Sequence, residues 1–86
     1  MRVYQENIYS ALISKRNWCG NNTQVINNGN GVTEIIYYWS KIGKIDHNKR
    51  TAILDHCGYH TVSTSSRLKA IREFCNAYGY KILRDE

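Results

Sequence analysis

The first periodic segment runs over residues 4–14, where Tyr4, Ile8, Ala11 and Leu12 recur at spacings of three and four. That spacing puts them on one side of an α-helix, and Glu6 falls in the first turn, where the helix dipole favours an acid. A short amphipathic helix is expected. KRNWCGNN (15–22) then loses the period and carries Gly20 and three asparagines, residues that accept left-handed backbone. It reads as a loop that anchors Trp18.

Two β-rich runs follow, Thr23 to Ile26 and Val32 to Trp39, separated by NNGNG. Asn-Gly between alternating apolar runs is the strongest short-range hairpin signal, and a β-hairpin is expected there. In EIIYYW, alternation puts Ile35, Tyr37 and Trp39 on one face and Glu34, Ile36 and Tyr38 on the other. Neither face is plainly polar, so the strand is read as central or as carrying an aromatic binding surface. Ile42 to Asp46 and Thr51 to Cys57 form a second extended pair around HNKR, and Gly58 breaks the pattern. From Ser65 to Tyr78, the residues Leu68, Ile71, Cys75 and Tyr78 form one helical stripe, with hydroxyl residues ahead of it and Gly79 as its stop. YKIL (80–83) offers a closing strand. The expected fold is α+β in one domain over 1–86: a short N-terminal helix, an antiparallel sheet of about four strands, a longer C-terminal helix and the closing strand.

Eighty-six residues, 42% of them hydrophobic, suffice for one core and leave little material for a deep catalytic cleft. Twelve Lys and Arg stand against seven Asp and Glu, and two of those acids are Asp85 and Glu86. Residues 1–84 therefore carry twelve against five, a balance of +7, which favours encounter with polyanions. Three cysteines at long spacing do not form a disulfide framework, and no apolar run has the length of a signal peptide or a membrane span. A cytoplasmic protein is expected, with no membrane partner and no cofactor; a homodimer is compatible with the pattern.

The strongest local signal is the start of the second helix. Thr61, Ser63, Thr64, Ser65 and Ser66 precede Arg67, Lys69 and Arg72, and no acid appears before Glu73. Unpaired N–H groups, hydroxyls and nearby cations suit a phosphate oxygen. The plainer alternative is that Ser63 or Thr64 caps the helix and the cations form its solvated face. Further cations come in pairs: Lys15 and Arg16, Lys41 and Lys44, Lys49 and Arg50, Lys81 and Arg84. Converging on one face, they would track a phosphate backbone, while Tyr37, Tyr38 and Trp39 could stack bases or simply fill the core. The residues expected to contact nucleic acid are Arg67, Lys69, Arg72, Ser65, Ser66, Lys41, Lys44, Lys49, Arg50 and Tyr38.

Cys57 and His60, with His56 and His47, have zinc-like spacing, but a structural site needs four ligands and only Cys19 or His47 remains as a distant complement. No metal is expected. Cys57 could pair with His56 or His60, with Asp55 orienting a histidine, yet no oxyanion donor or phosphate-cradling loop accompanies them. No catalysis is expected; a small metal-free nuclease is the enzymatic alternative.

At Asn22-Thr23-x-Val25, Ile42-Gly43-x-Ile45 and Gly58-Tyr59-x-Thr61-x-Ser63-Thr64-x-x-Arg67-Leu68 the chain resembles small accessory proteins of tailed bacteriophages. Those proteins carry NT-x-V, a strand close to G-x-x-IA, and GW-x-T-x-TT-x-x-RLN; here Tyr59 replaces Trp, Ser63 replaces Thr and Lys69 replaces Asn. The resemblance implies a phage protein. It extends to phage inhibitors of host defence, such as the factor that blocks the endoribonuclease toxin of a type III toxin–antitoxin system. The expected function is binding of RNA, ahead of DNA, or of single-stranded nucleic acid, with a host defence protein as a further partner. A protein-only inhibitor that docks an acidic host protein is the alternative.

Overall fold

The computed structural model describes residues 3–86. The chain runs α1 (Val3–Ser14), β1 (Trp18–Gly20), β2 (Thr23–Asn28), β3 (Val32–Tyr37), β4 (Ser40–Asp46), β5 (Thr51–Leu54), α2 (Val62–Tyr78) and β6 (Lys81–Asp85). The six strands lie in chain order in one sheet, antiparallel from β1 to β5, and β6 joins β5 in parallel after the α2 crossover. The α+β reading holds, with six strands where about four and a closing strand were expected.

Both helices cover one face of the sheet. Ile8 and Leu12 of α1 and Leu68, Ile71 and Phe74 of α2 are buried against Val25, Ile35, Ile42, Ile45 and Leu54. Gly43 permits the close approach: a Cβ there would lie 2.8 Å from Ile71 Cδ1 and 3.3 Å from Ile35 Cδ1. Alternation sends the other side chains of each strand to the open face. At β4 the alternation breaks, because a bulge opposite Ile35/Ile36 leaves Ile42 and Gly43 both buried. As a result Lys41, opposite Ile36, and Lys44, opposite Glu34, share the open face, although three-residue spacing would normally separate them. A second irregularity, in the β5–β6 pairing, brings Arg84 opposite Ile53 and Lys81 opposite Thr51, again on one face.

Four expectations are corrected. The segment expected to be a loop contains β1, because Trp18 to Gly20 pair with Val25 to Thr23 around Asn21 and Asn22. Those asparagines have φ of 50° and 60°, the left-handed pair of a tight hairpin turn. The expected strand to Trp39 stops at Tyr37, and Tyr38 and Trp39 form the β3–β4 turn. The expected helix from Ser65 begins at Val62, capped by Thr61, whose Oγ1 accepts from the Thr64 amide; Gly79, at φ 72°, ends it with its N–H on the Cys75 carbonyl. Tyr78 lies outside the buried stripe, at 42% exposure, and Phe74 lies inside it.

Successive elements run in opposite directions, so connections alternate between the two ends of the sheet. One end gathers the α1–β1, β2–β3, β4–β5 and α2–β6 connections. The other gathers the β1–β2 and β3–β4 turns, the segment 55–61 and the last residues of β6.

Candidate nucleic-acid interface

The residues expected around the start of α2 part company in the structure. Arg67 is 5% exposed: it points into the protein, with Nε donating to Thr23 Oγ1 at 2.6 Å, Nη1 to the Ser63 carbonyl at 2.8 Å and Nη2 to the Asn21 carbonyl at 2.8 Å. Its guanidinium also lies 4.2 Å from the Tyr4 ring centre and 4.0 Å from that of Tyr37. Expected at a phosphate, it instead ties α2 to the β1–β2 turn, because it falls on the helix stripe that contains Thr64, Leu68 and Ile71.

Arg72 donates two bonds to Asp85, at 2.8 and 2.6 Å, and that pair holds the Asp85 carboxyl below its ordinary range. Ser66 lends its carbonyl to Gln5 Nε2 at 2.7 Å. Ser65 and Lys69 are exposed on α2. Two of the helix's first amides are already satisfied by Thr61, the Thr64 N–H by its Oγ1 and the Ser65 N–H by its carbonyl. The start of α2 is therefore partly closed by its cap, and among the described residues Lys69 is the exposed cation beside it that makes no ion pair.

On the open face, Lys41 pairs with Glu34, whose carboxyl is held low by hydrogen bonds from Lys41 and Asn28, while among the described residues Lys44 makes no ion pair. Lys49 and Arg50 sit at the other end of β4, in the connection to β5. There the topology adds cations that the sequence shows in pairs but that were not among the expected contacts. Lys15 and Arg16 follow α1, and Lys81 opens β6 with its N–H on the Arg50 carbonyl. The five cations Lys15, Arg16, Lys49, Arg50 and Lys81 thus share one end, and among the described residues none of them makes an ion pair. Asp46, nearby, accepts the amides of Asn48 and Lys49 at 3.0 Å and so shapes the turn.

Between α1 and the β4–β5 turn at this end lies a cleft of about 330 Å³. Lys15 and Arg50 line it, with Phe74, Tyr78 and Tyr80 as aromatic walls. His47 forms part of its lining through a hydrogen-bond chain. The Thr33 hydroxyl donates to Asn27 Oδ1 at 2.6 Å and lies 2.8 Å from His47 Nε2, while His47 Nδ1 lies 2.8 Å from the Tyr80 hydroxyl. Burial and the neighbouring Lys15 push the His47 pKa down, which disfavours the charged ring.

The opposite end is aromatic and acidic. Trp39, at the β3–β4 tip, is 95% exposed and Tyr38 beside it is 56% exposed. Tyr38 holds φ 56°, a left-handed conformation that costs a non-glycine residue about 1–2 kcal/mol. With Tyr37, Tyr59, Thr61 and Thr64 these two rings border a second cleft of about 330 Å³. Sequence alternation placed Tyr38 as a base-stacking residue on a strand face; it stands on a turn, and Trp39 presents more surface.

Asp55 and Cys57 also lie at this end. Asp55 accepts the Cys57 amide at 2.8 Å rather than orienting a histidine, and His56 stacks on His60 with ring centres 4.7 Å apart. Burial and Asp55 push the Cys57 thiol up, and burial lifts Cys75 to about 11, so neither is drawn toward thiolate. Among the described residues no three His, Cys, Asp or Glu side chains group to hold a metal, and no helix is long and apolar enough to cross a membrane.

No curated protein and no solved structure matches the chain. A family profile does, over residues 1–85, so the chain, already similar in its motifs to phage accessory proteins, belongs to the Kyanoviridae Gp96 protein family.

Proposed function

We propose that this phage protein binds single-stranded nucleic acid, RNA ahead of DNA, through its cationic end. The observation that carries the reading is the gathering of Lys15, Arg16, Lys49, Arg50 and Lys81, all without ion pairs among the described residues, at one end of the sheet. Lys44 extends this charge onto the open face. The preference for RNA rests on the resemblance to phage inhibitors of host defence, where such binding would serve to neutralise a defence nuclease. The reading assigns the chain no catalytic step.

Fluorescence anisotropy of labelled single-stranded RNA and DNA across a salt series tests it. Each phosphate neutralised on a single strand contributes about 0.7 to the slope of log K against log salt, so five cations give a slope of at most about −3.5. Lys49→Glu with Lys81→Glu should weaken binding and flatten the slope by about 1.4. Unchanged binding in the folded double variant refutes the interface.

Trp39 favours a second reading, docking of a host protein on the aromatic tip, since exposed tryptophans recur as interface anchors. A salt slope near zero, with inhibition lost in Trp39→Ala, would select it.

A further inference from the structure

The cleft at the cationic end has the size and chemistry of a single-nucleotide site rather than a stretch of phosphate-tracking surface. About 330 Å³ lies at the small end of ligand pockets, which run from about 300 to 1,000 Å³. Its charged walls are Lys15 and Arg50, and no carboxylate lines it. Both residues leave the ordinary backbone region, at φ 55° and 57°, so the chain bears strain at the two positions that supply the charge. Arg50 is held by Nη2 on the Tyr78 carbonyl and by stacking 5.4 Å over Tyr80, which leaves Nε and Nη1 for a ligand. Lys15 makes no ion pair among the described residues.

The aromatic side of the cleft is pre-formed. Phe74 and Tyr78 stack with centres 5.1 Å apart at 28°, and Tyr78 keeps 42% of its surface exposed, a platform on which a planar ring can continue the stack. His47 and the Tyr80 hydroxyl are hydrogen-bonded to each other, and His47 also to Thr33. An anion in the cleft is met by the charges of Lys15 and Arg50.

We infer that this cleft binds a nucleoside monophosphate group, its phosphate between Lys15 and Arg50 and its base against Tyr78. The inference deepens the nucleic-acid reading, on which it rests for location, by giving one nucleotide a defined seat. The group could come from a free nucleotide or from the 5′-phosphorylated end of a strand.

Titrating the intact protein with adenosine monophosphate, adenosine, ribose 5-phosphate and inorganic phosphate, while following the His47 and Tyr78 ring resonances, tests it. The monophosphate should bind with both resonances shifting, and the other three at least about tenfold more weakly, each lacking the phosphate or the ring. Lys15→Gln, at an exposed position, should weaken the monophosphate about tenfold, the loss of one charge-assisted bond. Tyr78→Leu should weaken the monophosphate and leave inorganic phosphate unchanged. Equal affinity for inorganic phosphate and monophosphate, shifts confined to Trp39 and Tyr59, or wild-type affinity in folded Lys15→Gln overturns the assignment. A 5′-phosphorylated trinucleotide that binds more tightly than its 5′-hydroxyl form identifies a strand end as the source; equal affinities with the free monophosphate still bound identify the free nucleotide. The two readings fail separately. Loss of monophosphate binding with salt-dependent oligonucleotide binding intact removes the seat alone, whereas oligonucleotide binding indifferent to Lys49→Glu and Lys81→Glu, with the monophosphate still bound, removes the wider interface alone.

Discussion

Replacing Arg67 with alanine should destabilise the fold far more than it should alter any surface. The side chain donates three bonds of 2.6, 2.8 and 2.8 Å, to Thr23, Ser63 and Asn21, and lies between two tyrosine rings. Each bond from a charged donor contributes about 1.5–3 kcal/mol and each ring contact about 0.5–2 kcal/mol. Against this stands the desolvation of a buried guanidinium with no carboxylate bonded to it, which the substitution relieves. A net loss of about 3–5 kcal/mol follows, because a hydroxyl and two carbonyls lose their donor at about 1–3 kcal/mol each while the relieved desolvation offsets part of it. For 86 residues the whole stability is about 4–13 kcal/mol, so the variant should lose about a quarter of it or more. Thermal unfolding followed by circular dichroism should show a midpoint lowered by at least about 12 °C, at about 4 °C or more per kcal/mol. Arg67→Lys keeps the charge but not the planar fork and should fall between. A folded Arg67→Ala protein melting within about 3 °C of wild type would refute the buried-clamp account. One consequence is practical: charge reversal at Arg67 cannot test a phosphate contact, because loss of binding would follow from loss of fold.

The His47 pKa is lowered by burial and by Lys15, so between its folded value and the ordinary value near 6.5 the unfolded chain holds more protons. Stability should therefore fall as pH drops through that ordinary value, and the urea midpoint should lose this part of its pH dependence in His47→Gln; an unaltered profile would sink the assignment. The Arg72–Asp85 pair lowers the Asp85 carboxyl, so its contribution should be present above the carboxylate range and lost as pH falls through it, as the difference between wild type and Asp85→Asn reports. Thiol labelling of the native protein should take Cys19 first, Cys57 more slowly and Cys75 last, following exposure and the raised thiol of Cys75 at about 11; rapid native labelling of Cys75 would contradict its burial. Trp39→Ala should leave stability within about 0.5 kcal/mol, since the ring is 95% exposed, and a larger loss would mean that the tip packs against the domain.

The two helices and β2 through β5 were legible because their apolar spacings are long enough to express a period. β1 was not. Its three residues are too few for alternation to register, and it exists through pairing with β2, a tertiary effect. The end of β3 was misread for a related reason. Tyr37, Tyr38 and Trp39 have high strand propensity, and nothing in three aromatics announces a turn whose first central residue sits at φ 56°. The bulge at Ile42 had a trace in the sequence, since Lys41-Ile42-Gly43-Lys44-Ile45 does not alternate, and it is what brings the two lysines onto one face.

The missed strand also explains why the cationic end was hidden. In a chain whose elements alternate in direction, the end at which a connection lies depends on how many elements precede it. With residues 15–22 read as one loop, α1 leads straight into β2, and Lys15 and Arg16 fall at the end that holds the start of β2, opposite Lys49 and Arg50. Inserting β1 reverses that and brings all four together, with Lys81 reached by the further pass of α2. The connections at the other end, 21–22, 38–39 and 55–61, contain no Lys or Arg, and Asp55, Asp85 and Glu86 lie with them. Arg72 and Arg84 pair with Asp85 and Glu86 there, so the cations without ion pairs among the described residues gather at the first end, which would turn toward an approaching polyanion before contact. Buried Arg67 stands outside this division although it lies near the acidic end. Its position three after Thr64 and four before Ile71, on the buried stripe of α2, is the signal that distinguishes it from the surface cations Lys69 and Arg72.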